Sequence, residues 1–123
     1  MRHKKALNKL GRPTDERVAL VRNQVAALFE HGYINTTLPR AKAVQRVAER
    51  MITRAKRGDL ANVRVIEKDL PTKDALRFLL RNVAPALADV QSGYTQIAKL
   101  KCRRGDNALI VRLSLMNQPI NQG

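Results

Sequence analysis

The stretch Tyr33–Arg57 reads YINTTLPRAKAVQRVAERMITRAKR, and it changes its periodicity partway along. Its first five residues are rich in β-branched side chains, which favours a strand. Pro39 follows a capping position at Thr37 or Leu38, and the first turn of a helix does not need the N–H that proline lacks. Apolar residues then recur at three- and four-residue steps, which predicts a helix from about 39 to 57. Its apolar arc comprises Ala41, Val44, Ala48, Met51, Ile52 and Ala55.

One helix is predicted before this strand. Thr14 is a plausible N-cap, and the acidic Asp15 and Glu16 suit the positive end of a helix. Gly32 supplies a stop signal, so this helix runs from about 15 to 31. Its inward residues are predicted to be Val18, Val21, Val25, Leu28 and Phe29.

Two more helices are predicted after the long one. Asp59 can cap a third helix that extends to about Leu70, and Pro71 ends it. Thr72 restarts the helical pattern, which continues until Pro85. The inward residues are predicted to be Leu60, Val63, Ile66 and Leu70 in the third helix, and Leu76, Leu79, Leu80 and Val83 in the fourth.

The last third of the chain has the two-residue periodicity of strands. Tyr94–Leu100 reads as one strand, and apolar residues alternate along Leu109–Leu115. Gly105, Asp106 and Asn107 provide turn chemistry between them, so an antiparallel hairpin follows. The order helix, strand, three helices and hairpin predicts an α+β fold of two layers, with helices covering a small mixed sheet of about three strands.

The domain organisation follows from the same pattern. We expect one globular domain over residues 14–116, because 123 residues with 44% hydrophobic side chains fill a single core. Residues 1–13 form a basic extension, and residues 117–123 form a flexible tail. No apolar run is long enough to predict a membrane span, and no signal peptide is evident.

The charge of the chain is strongly unbalanced, with 24 Lys and Arg against 10 Asp and Glu and a net charge of +14. Such an excess predicts an acidic partner. Sixteen of the basic residues fall into three clusters within 1–12, 40–57 and 99–104. The clusters comprise Arg2, Lys4, Lys5, Lys9 and Arg12, then Arg40, Lys42, Arg46, Arg50, Arg54, Lys56 and Arg57, and then Lys99, Lys101, Arg103 and Arg104.

The middle cluster carries the most specific signal. Lys42, Arg46, Arg50 and Arg54 follow one another at four-residue steps, which stacks like charges on one helix face at about 0.2–0.5 kcal/mol a pair. Glu49 is the only acidic residue of the predicted helix. A solvated face normally mixes both signs, so this bias indicates a bound polyanion.

Residue types favour RNA with a folded shape over other ligands. Aromatic residues make up 3% of the chain, too few for a platform of stacking rings. Contact with phosphates and riboses of folded RNA needs few aromatics. Tyr33 and Tyr94 could each stack on a base, although packing at the start of a strand explains them equally well.

Other classes of function find less support. A DNA-binding helix-turn-helix could join the second and third helices at Gly58, but the dense charge lies on the helix that does not read bases in that motif. A membrane-surface protein would need more Trp or Phe. His3 and His31 lie in no nucleophile motif, and no acidic pair suggests metal chemistry, so neither an enzyme nor a cofactor is predicted. The single Cys102 excludes an internal disulfide and lacks the spacing of a zinc site.

Several short motifs carry a resemblance to a known family. Ile34–Lys42 reads INTTLPRAK, and Glu49–Thr53 reads ERMIT. Together these resemble the signature of the bacterial large-subunit ribosomal protein L17 family. Further pieces in family order are Met1-Arg2-His3, Arg22-Asn23, Ser92-Gly93-Tyr94-Thr95 and Arg104-Gly105-Asp106.

The resemblance implies a structural protein without catalytic activity, packed on large-subunit ribosomal RNA near the nascent-chain exit. It implies that the partners are ribosomal RNA and neighbouring large-subunit proteins, and that the protein acts in the bacterial cytoplasm. We expect no membrane partner, no small-molecule substrate and no obligate homo-oligomer. The chain departs from the usual family pattern at Ser92, in the stretch Pro13–Glu16 and in its tail. Carried over from the family as RNA contacts are Arg2, His3, Thr36, Thr37, Arg40, Lys42, Tyr94 and Arg104.

The predicted RNA-binding set combines these positions with the basic clusters. Arg22 and Asn23 join it through their motif. The full set is Arg2, His3, Lys4, Lys5, Lys9, Arg12, Arg22, Asn23, Thr36, Thr37, Arg40, Lys42, Arg46, Arg50, Arg54, Tyr94, Lys99, Lys101, Arg103 and Arg104.

Overall fold

The computed structural model describes residues 14–91 and 93–116, so the predicted extension 1–13 and tail 117–123 lie outside the described residues. The order of its elements is the predicted one of helix, strand, helices and hairpin, which confirms the α+β fold. The elements are α1 (Thr14–His31), β1 (Tyr33–Thr37), α2 (Leu38–Arg57), α3 (Leu60–Asp69), α4 (Lys73–Phe78), a π-helical turn (Leu79–Val83), α5 (Ala84–Ala86), β2 (Thr95–Cys102) and β3 (Leu109–Leu115).

The sheet has three strands in the order β1-β3-β2. The expectation of a mixed sheet is wrong, because both pairs are antiparallel. The tight turn between β2 and β3 makes these two strands antiparallel. β3 lies in the centre of the sheet, and β1 pairs antiparallel with the side of β3 that faces away from β2. A bulge between Lys99 and Lys101 shifts the β2–β3 register by one residue.

The two faces of the sheet differ sharply. Ile34 on β1 pairs with Leu113 on β3, Thr36 pairs with Val111, and all four are buried. Their neighbours along the strands, such as Asn35, point the other way and are exposed. The helices therefore form one layer on the inner face, which confirms the two-layer prediction.

Helix α2 lies at the centre of the core. All six residues of its predicted apolar arc are buried, and so is Ala43. They pack with Val25, Leu28 and Phe29 of α1, which are fully buried. Burial of one such large side chain contributes roughly 1.5–3 kcal/mol, so the α1–α2 contact holds the long helix in place. Gly58 ends α2 with a φ of 70°, and its N–H donates to the Arg54 carbonyl at 3.2 Å.

Two predictions about the later helices are wrong. Leu60 was expected to point inward, but its exposed fraction is 64%. Ile66 is buried and lies six residues after Leu60. At about 100° of rotation per residue, the two side chains point about 120° apart around the helix axis, so Leu60 lies off the inward face of α3. Pro85 was expected to end the fourth helix, which instead continues to Ala86. The wider π turn before it relieves the clash between the proline ring and the preceding helical turn.

Side chains of α2 also fix the segment that leads into β2. The Lys56 ammonium donates to the Val90 carbonyl and to the Tyr94 hydroxyl, the latter at 3.2 Å, and it lies 4.9 Å from the centre of the Tyr94 ring. The Tyr94 hydroxyl donates in turn to the Gln91 carbonyl at 3.0 Å. One residue further, Thr95 binds the Glu49 carboxylate. The hairpin is thereby fixed relative to the exposed side of α2.

Candidate nucleic-acid interface

The first cationic surface is the outward side of α2. Lys42, Arg46 and Arg50 are exposed there at one-turn intervals, about 6 Å apart along the axis. Arg54 continues the row in sequence, but it is half-buried and its Nη1 donates to the Asn62 Oδ1 of α3 at 3.0 Å. The accessible row therefore comprises the first three residues, which we call the α2 basic row.

The only carboxylate of α2, that of Glu49, is hydrogen-bonded to the first residue of β2. Glu49 Oε2 accepts hydrogen bonds from the Thr95 hydroxyl at 2.8 Å and from the Thr95 N–H at 3.2 Å. Gln45 Nε2 donates to the same hydroxyl at 3.0 Å. Two donors from Thr95 thus hold this carboxylate oxygen against the start of β2.

The second cationic surface is the hairpin, whose residues 98–107 are all exposed. Lys99, Lys101, Arg103 and Arg104 all lie in this projecting segment. The tip is shaped by local bonds: the Arg103 N–H donates to the Ala108 carbonyl at 2.7 Å, and Asn107 has a φ of 63°, which asparagine tolerates.

One cation of the hairpin has an acidic partner. Arg103 donates to both oxygens of Asp106, at 3.1 and 2.7 Å. The guanidinium lowers the pKa of Asp106 to about 2, and this pairing raises the pKa of Arg103. Asp106 also accepts the Ala108 N–H at 3.1 Å. Arg103 therefore stabilises the turn, whereas Arg104 carries the outward charge at the tip.

A cleft of about 690 Å³ lies where the hairpin meets the start of α2. Its lining comprises Thr37, Leu38, Pro39, Arg40, Arg103, Ala108 and Leu109. The first turn of α2 has no acidic residue, and Thr37 makes no side-chain capping bond. The peptide N–H groups at the start of α2 and the Arg40 guanidinium therefore give this cleft donors that suit phosphate oxygens, while Arg103 is paired with Asp106. The cleft brings together part of the signature motif and the hairpin cluster, which are about 60 residues apart in sequence.

Other residues of the predicted set lie elsewhere. Thr36 and Tyr94 are buried, with exposed fractions of 6% and 4%, so they support the fold from inside. Arg22 pairs with Asp69 of α3 at 3.2 Å, while Asn23 beside it is exposed. The N-terminal candidates lie outside the described residues. These are Arg2, His3, Lys4, Lys5, Lys9 and Arg12.

Sequence reasoning missed Arg112. It lies in the middle of β3 on the outer face of the sheet, 4.4 Å from the centre of the Tyr33 ring. Its Nε donates to Asn35 Oδ1 at 2.9 Å. The signal was present, because the alternation of β1 and β3 places polar side chains together on one face. Arg112 lies outside the three clusters, and a search for dense charge does not find it.

Three findings concern other kinds of site. Within residues 14–91 and 93–116, no group of His, Cys, Asp or Glu side chains is arranged to hold a metal ion. In the same part of the chain, no helix has the length and apolar character of a membrane span. Cys102 is exposed at the end of β2.

The fold and the site define a small basic α+β protein with exposed cationic surfaces, a class typical of nucleic-acid binding. Residues 20–116 match the family model described as Ribosomal protein L17. The chain is 49% identical over 111 residues to the large ribosomal subunit protein bL17 of Finegoldia magna, covering 90% of this chain and 85% of that protein. It is 43% identical over 119 residues to the protein of that name from Myxococcus xanthus, covering 97% and 86%.

The chain belongs to the ribosomal protein L17 family. This confirms the resemblance carried by the INTTLPRAK and ERMIT motifs. Members of the family are structural components of the ribosome, which agrees with the prediction that the chain is not an enzyme.

Proposed function

We propose that this protein is a structural constituent of the large ribosomal subunit that binds and stabilises ribosomal RNA through its α2 basic row, its hairpin and its N-terminal residues. The observation that carries the proposal is the exposed row Lys42, Arg46 and Arg50, whose one acidic neighbour on the helix is engaged by Thr95. A surface of this kind neutralises phosphates and releases their counterions.

The cleft beside the row supports contact with an RNA backbone. Arg40 and the N–H groups that start α2 offer donors to phosphate oxygens, and Arg104 extends the positive surface to the hairpin tip. Phosphate and ribose contacts fix the position of a protein on RNA without reading bases. The protein therefore recognises the shape of folded RNA and stabilises segments that would otherwise repel one another.

Family membership supports the finer parts of the proposal. Relatives named large ribosomal subunit protein bL17 match this chain over most of its length. We infer a position near the nascent-chain exit in the bacterial cytoplasm, with neighbouring large-subunit proteins as further partners. We infer no membrane partner, no small-molecule substrate, no cofactor and no obligate homo-oligomer.

The division of the chain belongs to the same proposal. In this proposal residues 14–116 form the globular body, and the basic residues of 1–13 add phosphate contacts to it. Phosphates order such a basic extension when it binds.

The test is incorporation of a charge-reversed protein into large subunits. In the test variant Lys42, Arg46 and Arg50 become Glu, and in the control Arg64, Lys68 and Arg81 become Glu. All six side chains are exposed, and both variants change the net charge equally. Cell lysates are sedimented through a density gradient at moderate and at high salt. The wild type and the control should sediment with the large subunit, and the test variant should stay in the top fractions.

Two outcomes would contradict the proposal. Normal incorporation of the test variant would show that the α2 basic row is not the RNA-binding surface. Absence of the wild type from large subunits, with DNA in its fractions, would favour the alternative of a DNA-binding regulator. Circular dichroism of the purified variants checks that they remain folded.

A further inference from the structure

The outer face of the sheet is a surface that no described helix covers. The strand registers place Tyr33, Asn35 and Thr37 of β1, Ile110, Arg112 and Ser114 of β3, and Gln96, Ala98 and Lys101 of β2 on this side. Lys101 joins it because the bulge after Lys99 shifts its pairing to Ile110. Two cations and several neutral hydrogen-bonding groups face outward, and none of these nine residues carries a carboxylate.

Arg112 is held in one orientation at the centre of this face. Asn35 accepts a hydrogen bond from its Nε, and the guanidinium lies over the Tyr33 ring. A guanidinium has five N–H donors, and within the described residues only the Nε donor of Arg112 has a protein acceptor. Its remaining donors and its outward plane are therefore available to a ligand.

Tyr33 is the accessible one of the two tyrosines. Its exposed fraction is 45%, against 4% for Tyr94. The Arg112 guanidinium lies over this exposed ring, and a guanidinium in such a contact can stack on a further planar group. Because a planar cation without an anion is presented here, the complementary ligand is a planar group attached to negative charge.

We propose that this face binds an unpaired nucleotide of RNA, whose base stacks on the Arg112 guanidinium above the Tyr33 ring. Unpaired bases in loops and bulges stack on aromatic rings and on arginine planes. The free guanidinium donors and Lys101 serve the attached phosphates. The inference rests on the proposed RNA-binding function and adds a second kind of contact, on the opposite side of the sheet from α2.

The test compares chemical reactivity of ribosomal RNA bases in large subunits that carry variants of the full chain. Arg112→Lys keeps the charge but loses the plane, and Tyr33→Leu removes the ring below it. Tyr33→Phe is the matched control, since it keeps the ring. One or a few unpaired bases that are protected by the wild type and by the control should become reactive in both test variants. Loss of the stacking contact should shift the equilibrium from the bound towards the free base by roughly 5- to 150-fold.

A second measurement uses the unmodified protein and so does not depend on folding of a variant. Ultraviolet irradiation of wild-type large subunits, followed by digestion and mass spectrometry, should yield a nucleotide attached to the peptide that contains Tyr33. Attachment of a neighbouring protein there, or no base whose reactivity depends on Arg112, would overturn the stacking proposal while leaving the α2 surface intact. Absence of the wild type from large subunits would instead remove the function on which it rests.

Discussion

Glu49 of α2 and Thr95 of β2 are joined by two hydrogen bonds to one carboxylate oxygen, at 2.8 Å from the hydroxyl and 3.2 Å from the N–H. This pair has two consequences. It fastens the start of the hairpin to the long helix, and it fixes the position of the only carboxylate of α2 beside the basic residues of that helix. Stability and surface potential therefore depend on the same contact.

Replacement of Glu49 by Ala should lower the free energy of unfolding by about 1.5–3 kcal/mol, the range for hydrogen bonds to charged groups. Glu49→Gln should cost less, because an amide oxygen still accepts one of the bonds. Urea denaturation followed by circular dichroism measures both. The control is Glu67→Ala on the exposed side of α3, expected within about 0.5 kcal/mol of wild type. Equal effects at Glu49 and Glu67 would contradict the role given to this contact.

Lys56 and Arg50 are both basic residues of α2, but the structure gives them different roles. Lys56 is half-buried against Val90 and Tyr94, whereas Arg50 is exposed. Lys56→Ala should destabilise the fold by about 1–3 kcal/mol, because its partners lose a charged donor. Arg50→Ala should leave stability within about 0.5 kcal/mol and weaken RNA binding instead.

Thermal unfolding and filter binding to purified large-subunit RNA measure these two effects on the same samples. The prediction is a crossed pattern, in which each substitution changes one quantity. If Lys56→Ala weakens RNA binding without loss of stability, its side chain is a ligand contact and the assignment is wrong.

The periodicity of the sequence was sufficient to predict the core. The apolar arc of α2 and the alternation along β3 follow directly from which positions share a face. The arc is buried, as are Val111, Leu113 and Leu115, and Leu109 at the start of β3 is half-buried. Leu60 shows where this reasoning stops, because an apolar residue in the first turn of a helix fits the spacing only loosely. Pro85 shows a second limit, since the π turn that accommodates it depends on hydrogen bonds that the sequence pattern does not reveal.

The charge pattern predicted the site less completely. Lys42, Arg46 and Arg50 are exposed as a row, but Arg54 and Lys56 are turned towards Asn62 and Tyr94. The number and spacing of basic residues do not distinguish exposed from paired side chains, because the partners of Arg54 and Lys56 lie in later parts of the chain. Tyr33 and Tyr94 were equivalent in sequence for the same reason, but Tyr33 lies on the outer face of the sheet and Tyr94 is buried against Lys56.

The hairpin tip gives a prediction about pH. The folded pKa of Asp106 is about 2, below its ordinary value of 3.8, because Arg103 and the Ala108 N–H stabilise the carboxylate. A lowered folded pKa means that the contribution of this carboxylate to the turn is fully present above about pH 3.8. It is lost as the pH falls through about 2.

Carboxyl chemical shifts followed by nuclear magnetic resonance should give an Asp106 midpoint near the lower value. In Arg103→Gln the midpoint should move up towards the ordinary value, because the largest cause of the shift is removed. Arg104→Gln is the control and should leave the midpoint unchanged. A midpoint that stays low without Arg103 would assign the shift to the backbone alone.

Gly58 gives a prediction about the end of α2. Its φ of 70° is a left-handed conformation, and a Cβ there would meet the Ala55 carbonyl oxygen only at an ordinary 3.8 Å. Backbone strain, without a steric clash, should therefore make Gly58→Ala about 1 kcal/mol less stable. Gly58→Asn should be milder, because asparagine tolerates this region. Urea denaturation of the two variants measures the order, and an alanine variant as stable as wild type would contradict it.

The salt dependence of RNA binding tests how the α2 basic row works. Each phosphate contact adds roughly 0.7–0.9 to the slope of log affinity against log salt concentration. Replacement of Lys42 and Arg50 by Ala should therefore reduce the slope by about 1.4–1.8 for purified large-subunit RNA. The matched control replaces Arg64 and Lys68 of α3, which are equally exposed, and should leave the slope unchanged. An equal reduction of the slope in the test and control variants would mean that net charge, and not the α2 basic row, attracts the RNA.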